Sequence, residues 1–371
     1  MLDQFICPIP WISLSLGAKN APRLCCHQST YNLEGTLNIS DALKLRHTQK
    51  VRDEMIKGTV PLECSSCFQL EQSGCRSPRL DYLDRFKYQP DTKTQIKYLD
   101  ITVDNDCNLE CLMCSPVYSK KLSSFYETQL NTVKTEAWTS ELSLSDIQQM
   151  LPTLEQVTIT GGEPFLSEKS LTIMKTLVES PRAHEIVLRI FTNLTHLPLT
   201  TLKNLTKLKR LELILSLDSI GENYELMRFP AKWEKILSHL KLIKEAKMQN
   251  LDLHVHSVLT AVNWTTVGEL IKFFEQNVPS YNILPIFAEI DTPQLLHPRV
   301  LPEKQFQQGK ELILSALASL TPQNDWHKHQ IIDLKNLVDK IEGAAHKDKY
   351  LDYQVFMQKI KTHRNSRLKH V

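Results

Sequence analysis

The sequence predicts an α/β fold on a parallel sheet, an open (β/α)6 barrel of the TIM type, and three observations predict it. The chain has 371 residues, 42% hydrophobic and 23% charged, which is enough for one large core and an appendage. From residue 96 onward, short β-type runs alternate with helical stretches. The clearest of those stretches carry one apolar face each, the pattern of helices laid against a sheet. Strands separated by helices pair in parallel through right-handed crossovers, and six such units curl into a barrel short of the usual eight.

The six strands are expected at Tyr98–Val103, Gln156–Thr160, Glu185–Phe191, Leu211–Leu217, Leu251–Val258 and Asn282–Phe287. Between them, Ser167–Glu179 places Leu171, Met174, Leu177 and Val178 on one face. Ala231–Lys247 does the same with Trp233, Ile236, Leu237, Leu240 and Ile243. Residues 1–95 read as a small loop-rich module with one helical stretch, Asp41 to Lys57, and turn formers such as Pro8, Pro10, Gly58 and Pro61. Residues 96–290 form the barrel. Residues 291–371 form a helical extension, with helical patterns near 302–319, 325–343 and 350–363. Its basic end, Lys359 to Lys369, reads as a solvated helix terminus complementing its own dipole rather than as a nucleic-acid patch.

Lys+Arg 44 against Asp+Glu 42 leaves a formal net charge of +2, which gives no warrant for nucleic acid as the main partner. No apolar run approaches the roughly 18 residues of a membrane span. The opening, MLDQFICPIPWISLSLG, contains Asp3 and two prolines and lacks a cationic start, so it does not read as a signal peptide. A soluble, cytoplasmic protein without a membrane partner is expected. In such a reducing compartment, clustered cysteines more often hold metal than form disulfides. The nine here lie at 7, 25, 26, 64, 67, 75, 107, 111 and 114, an odd count confined to the first third of the chain.

Cys107, Cys111 and Cys114 follow the first strand in C-x3-C-x2-C spacing. In parallel architectures active groups sit where strands end. Three thiolates do not complete a tetrahedral zinc site without a borrowed fourth ligand. They do suffice for three irons of a cubane, leaving the fourth iron open. The segment resembles the signature of the radical SAM superfamily. That resemblance implies a 4Fe–4S cluster whose open iron chelates S-adenosylmethionine. It further implies reductive cleavage to a 5′-deoxyadenosyl radical that abstracts hydrogen from a substrate, and an electron donor such as flavodoxin or ferredoxin.

Later strand ends extend the resemblance over about residues 96–290. Gly161, Gly162, Glu163 and Pro164 match the family's GGEP motif, whose backbone and Glu side hold the amino group of S-adenosylmethionine. Read locally, glycines let backbone approach a ligand closely, and a Glu there also serves as a helix N-terminal charge. Thr192 and Asn193 fall where the family often has T-N-G, with Leu194 in the glycine's place. Ser216 and Asp218 match positions that often bind the ribose, and Arg228 matches a frequent carboxylate partner. Asn263, after the fifth strand, is a further candidate contact to cofactor or substrate. Asn193 and Asp218 also suit plain turn or cap roles.

Ahead of the barrel, Cys7, Cys25, Cys64 and Cys67 supply four thiolates, enough to close a metal site. Cys26 and Cys75 are alternatives. A structural zinc knuckle suits the C-x2-C pair. C-x2-P-W followed by a glycine and Cys-Cys resembles instead the twitch/SPASM module, which implies an auxiliary 4Fe–4S cluster. The interval from Gly17 to Cys25 is longer than the common pattern, so Asn20 is expected to take the usual glycine's turn. Adjacent side chains diverge, which favours Cys25 over Cys26, and Trp11 is expected to pack around the site. Relatives with such modules imply a peptide or protein substrate. Radical chemistry on a small molecule and a non-catalytic zinc-binding interaction protein are the alternatives.

Overall fold

The computed structural model describes residues 5–25, 46–72, 74, 76–87, 95–277, 285–290, 292–322, 324–344 and 349–368. Eight strands form one sheet in the order β2-β1-β3-β4-β5-β6-β7-β8. They are β1 Ser13–Leu16, β2 Pro22–Arg23, β3 Tyr98–Thr102, β4 Gln156–Thr160, β5 Val187–Thr192, β6 Arg210–Ser216, β7 Leu251–Leu259 and β8 Ile286–Glu289. Every neighbouring pair from β1–β3 to β7–β8 is parallel, and only β1–β2 is antiparallel. The partial (β/α) barrel expected from the sequence is present, with two strands more than expected. The third strand starts later than expected because Ala183–Glu185 forms a 3-10 turn. The expected start of the sixth, 282–284, lies outside the described residues.

The helices are α1 Ile9–Ile12, α2 Arg46–Ile56, α3 Ser65–Gln72, α4 Pro78–Phe86, α5 Ser123–Leu130, α6 Leu144–Met150 and α7 Glu168–Glu179. They continue with α8 Leu199–Leu205, α9 Gly221–Met227, α10 Trp233–Ala246, α11 Val267–Asn277, α12 Glu303–Ala318, α13 Asp325–Glu342 and α14 Tyr350–Leu368. Caps explain several starts. The Ser167 side chain accepts from the Ser170 amide, and Ser143 and Asp146 form a reciprocal capping box. Among the described residues no helix is long and apolar enough to cross a membrane.

The N-terminal segment departs from the expected loop-rich module. Its β1 is part of the main sheet, with Ser13 opposite Tyr98 and Leu16 opposite Ile101. The run Ser-Leu-Ser-Leu sends Leu14 and Leu16 into the helix-side core, while Ser15 Oγ donates to Asp100 at 2.9 Å. Four alternating residues after two prolines are too short a signal to stand out as a strand. α3 and α4 were likewise unexpected. Ser77 caps α4, with Pro78 at its first position, and the buried residues Arg79, Tyr82 and Phe86 make a narrow inward stripe. Tyr82, Phe86 and Tyr98 then close on one another at 5.7–6.4 Å, fastening this segment beneath β3.

One face of the sheet (Leu99, Ile101, Val157, Ile159, Leu188, Leu213 and their neighbours) packs on α7, α8, α10 and α11. The other face is polar. Asp100, Thr158, Arg189, Glu212 and Asp252 share one register row across β3 to β7. Glu212 is the hub of that row. It accepts from Arg189 Nε at 2.7 Å and from Arg85 Nη2 of α4 at 3.0 Å, while Arg85 Nη1 donates to Gln156 at 2.5 Å. Burial pushes the Glu212 carboxyl up, but Arg189 and then Arg85 hold it below the usual value. The stability it contributes is therefore present above the ordinary carboxylate range and lost as pH falls through its lowered value. Glu212→Ala leaves two guanidiniums without their carboxylate and is expected to cost about 3–5 kcal/mol in urea unfolding at pH 7. The gap to wild type should narrow as pH drops below about 4; a gap independent of pH would rule out the ion pair as its source.

Candidate active site and a second thiol pocket

The loop after β3 carries Cys107, Cys111 and Cys114 as free thiols. Its path is fixed from several sides. Glu110 N donates to Phe229 O at 2.7 Å and Leu112 N to Met227 O at 2.8 Å, lacing the loop to the end of α9. Ser119 Oγ donates to Leu109 O, and Asn108 Nδ2 donates to Thr195 Oγ1. Burial pushes the Cys107 thiol up to about 12 and raises Cys111 and Cys114 as well, and each of Cys107 and Cys114 is raised further by Cys111. Burial thus favours the protonated thiols, and a metal bound there would displace their protons.

The turn after β4 meets this loop with no room to spare. A Cβ on Gly162 would stand 2.1 Å from Asp106 O, and one on Gly161 would stand 2.7 Å from Asp104 O. Gly161 also has φ +139°. The close approach that the two glycines allow is thus to the backbone of 104–106. Gly162 N and Glu163 N donate to Asp104 O and Asp106 O, both at 2.9 Å. Glu163 is buried and accepts from Asn193 N at 2.7 Å, Thr192 Oγ1 at 2.8 Å and Phe165 N at 3.2 Å. Its carboxylate ties the end of β4 to the end of β5 rather than acting as a free helix-terminal charge.

Asn193 continues the tie. Its Nδ2 donates to Asn108 Oδ1 at 3.0 Å and lies 3.9 Å from Cys107 Sγ, and its Oδ1 accepts from Thr195. Leu194 follows with φ +58°, the left-handed conformation in which glycine is favoured. After β6, Asp218 is buried with both oxygens used, Oδ1 by Val258 N at 2.8 Å and Oδ2 by Arg228 Nε at 2.6 Å. These bonds tie Asp218, the residue expected at a ribose, to the β7 end and to Arg228. Asn263, expected to face cofactor or substrate, is also buried and fully engaged with Thr260, Asp218 O and Val258 O. Arg228 reaches Cys111 Sγ at 3.8 Å with Nη1. Burial opposes its charge, but Asp218 and then Cys111 keep it protonated. Ser216 ends β6 half-exposed, opposite His256.

Several residues here were not singled out in the sequence. Tyr224 is buried with its hydroxyl unpartnered, and it interacts electrostatically with Arg228 and Cys111. His254 and His256 lie on the polar face of β7, and burial lowers both imidazoles. His256 stacks edge-on with Phe191 at 6.2 Å. The alternation Leu-Asp-Leu-His-Val-His in β7 carried that signal, since a strand that buries its leucines must turn its histidines the other way. Arg364, in the expected solvated helix end, is buried instead, because α14 runs past this loop with Phe356, Ile360 and Arg364 inward.

Cys7, Cys25, Cys64 and Cys67 line a single pocket, together with Arg79 and Tyr82 among others. Burial raises the thiols of Cys7, Cys64 and Cys67, with Cys64 pushed up to about 12. Arg79 is anchored to Glu71 at 2.5 Å and to Ile6 O at 2.7 Å. Asn20 has φ +60°, the glycine-like turn expected of it, and Trp11 packs in the core beside Cys7. Cys26 and Cys75 lie outside the described residues. This pocket sits by Tyr98 at the start of β3, whereas Cys107 follows its end. A five-residue strand spans roughly 16 Å.

Residues 101–274 match the Radical SAM superfamily. That match, just under half of the chain, marks a radical SAM domain over those residues. It is also 34% identical over 183 residues to GTP 3′,8-cyclase of Campylobacter jejuni (strain RM1221), covering 49% of this chain and 52% of that protein. The match to the enzyme of Campylobacter jejuni subsp. doylei is 33% identical with the same coverage. The chain thus spans about half the length of the curated relatives it matches. Among solved structures, native anSMEcpe with bound AdoMet aligns at TM-score 0.40 and 21% identity over 53% of this chain and 52% of that one. Streptococcus suis SuiB bound to precursor peptide SuiA aligns at TM-score 0.41 and 16% identity over 78% and 54%.

The radical SAM domain's thiol loop fits an anionic cluster. It offers three free thiols, a guanidinium beside Cys111 and an orphaned buried hydroxyl at Tyr224. Among the described residues no three His, Cys, Asp or Glu side chains close on a single ion, a geometry that a cubane with one iron per thiolate does not require. Gly162→Ala forces the turn away from Asp106 and is expected to destabilise the fold by about 1–3 kcal/mol. It should also lower the iron taken up on anaerobic reconstitution. Undiminished iron uptake would mean that the turn does not hold the loop.

Proposed function

We propose that this chain is a radical SAM enzyme that cleaves S-adenosylmethionine reductively to a 5′-deoxyadenosyl radical, which abstracts hydrogen from a peptide or protein side chain. The observation that carries the reading is the loop of three free thiols, laced to α9 and locked by Gly162 and Asn193 at the ends of three parallel strands. When bound, a 4Fe–4S cluster would supply the electron for reductive cleavage of the sulfonium. Cys107, Cys111 and Cys114 would hold that cluster through their thiolates. Arg228 offsets the charge at Cys111 and is itself held by Asp218. Glu163 and Asn193 keep the strand ends in register with the loop. Gly161, Gly162 and Ser216 leave backbone and a small hydroxyl at the cofactor side. The polar face, with Thr160, Phe191, Ser216 and His256 partly exposed on it, receives the substrate. A flavodoxin- or ferredoxin-type donor supplies the electron.

The pocket of Cys7, Cys25, Cys64 and Cys67 is assigned to a second, auxiliary 4Fe–4S cluster, as the resemblance to twitch/SPASM modules implies. Four protein thiolates close its coordination, so the role that suits it is electron transfer rather than gripping the substrate. Arg79 supplies a nearby positive charge.

A second reading replaces the peptide with a small molecule. The matches to GTP 3′,8-cyclases favour it.

Anaerobically reconstituted protein, given S-adenosylmethionine and dithionite, is expected to form 5′-deoxyadenosine, and Cys111→Ala should reduce this at least a hundredfold. Loaded wild type that forms none would end the proposal. A new product from GTP in the same mixture would select the small-molecule reading. Separately, the Cys64→Ala, Cys67→Ala double variant should lower iron from roughly eight to roughly four per chain. Unchanged iron, or zinc in place of iron at this site, would remove the auxiliary cluster.

A further inference from the structure

The C-terminal helix reaches the thiol loop through one buried cation. α14 turns Phe356, Ile360 and Arg364 inward at successive i+4 steps, and all three are buried. Phe356 meets Phe125 edge-on at 5.9 Å, and Ile360 shares a core cluster with Leu112 of the loop and Met227 of α9. Arg364 then bridges the two laced segments. Its Nη2 donates to Glu110 O at 2.7 Å, its Nη1 donates to Leu226 O at 2.5 Å, and its guanidinium lies 4.8 Å from the ring of Phe229. Glu110 immediately precedes Cys111. The carboxylate of Glu110 stands 3.4 Å from His363 Nε2.

These hydrogen bonds do two things. They hold residues 110–112 against 226–229, so the position of Cys111 depends on α14 being docked. They also bring a full positive charge into the interior while ending on carbonyls, which carry no charge to cancel it. Arg228 is different, because Asp218 pairs with it. Burial lowers the Arg364 guanidinium to about 10, with Cys111 and then Glu110 acting in the opposite direction.

We propose that Arg364 is a positioning residue for the cluster loop and that its buried charge raises the reduction potential of the cluster held by Cys107, Cys111 and Cys114. A cation at fixed distance favours the more negative, reduced form of an iron–sulfur centre, and in a low-dielectric interior that preference is strong. The C-terminal helix, which lies outside the radical SAM match, thereby becomes part of the electron-accepting site. This inference rests on the cluster assignment made above.

The test uses the full chain, reconstituted anaerobically, with Arg364→Gln and Arg364→Lys compared with wild type. Iron and sulfide are counted, folding is checked by circular dichroism, and the reduced-cluster EPR signal that changes on adding S-adenosylmethionine is titrated against potential. The Gln variant is expected to titrate at a more negative midpoint, with the Lys variant close to wild type. A Gln variant that does not load while the Lys variant does supports the same requirement for charge. Two loaded variants with the wild-type midpoint would overturn the proposal. So would two folded variants that both fail to load, since the side chain would then act through shape alone. Wild type that takes up no iron would overturn the cluster assignment itself, a separate result.

Discussion

Three chain segments at the upper ends of the strands pack too closely to admit a side chain between them. The turn at Gly161–Gly162 rests on the backbone of Asp104–Asp106, and the Glu163 carboxylate gathers the amides and hydroxyl of Phe165, Asn193 and Thr192. The loop bearing Cys107, Cys111 and Cys114 leaves the sheet through this junction. Its start is therefore fixed by hydrogen bonds that involve no thiol, which lets the thiols stay in place before any metal arrives. Asn193 carries the constraint one step further, from the β5 end to Asn108.

The parallel sheet gives the two thiol groups different surroundings. Parallel strands collect their outgoing loops at one end, and the loop of three cysteines lies there among loops from several strands. The four cysteines of the N-terminal segment lie at the other end, under a lid formed by α4 and the aromatic contact of Tyr82, Phe86 and Tyr98. Between them runs a face whose hub is Glu212. Arg85 comes from the same helix as Arg79, so α4 contributes one cation to the thiol pocket and another to the floor of the barrel. The N-terminal segment is joined to the sheet through β1 and to its polar face through Arg85.

Much of this was legible in the sequence, for identifiable reasons. The helix α10 carries its apolar stripe over fourteen residues, and the strands β3 to β7 are bounded by polar or glycine-containing segments, so their positions followed from periodicity. The cysteine spacings and GGEP marked the site because few other contexts need them together. What failed to show was set by contacts distant in the chain. β1 is a strand because β3, eighty-odd residues away, offers it an edge. Asp218 and Asn263 look like free polar groups at strand ends, yet each is consumed by amides or carbonyls of the neighbouring strand end. Arg364 sits in a basic run that reads as solvated, and only the docking of Phe356 and Ile360 decides which of its cations faces inward.

Charge gives the reason the thiol loop is enclosed as it is. Three thiolates placed side by side repel, and the raised thiols of Cys107 and Cys114 already register their neighbour Cys111. Two guanidiniums approach Cys111 from different elements, Arg228 from the end of α9 and Arg364 from α14, and Tyr224 holds an unused hydroxyl nearby. A buried cation, a buried hydroxyl without a hydrogen-bond partner and raised thiols meet at this loop. Each carries a desolvation cost. An anionic group seated on the three sulfurs would match all of them at once and would stabilise the enclosing segments together. The enclosing cations come from elements far apart in sequence, since the segment Cys107–Cys114 carries no Lys or Arg of its own.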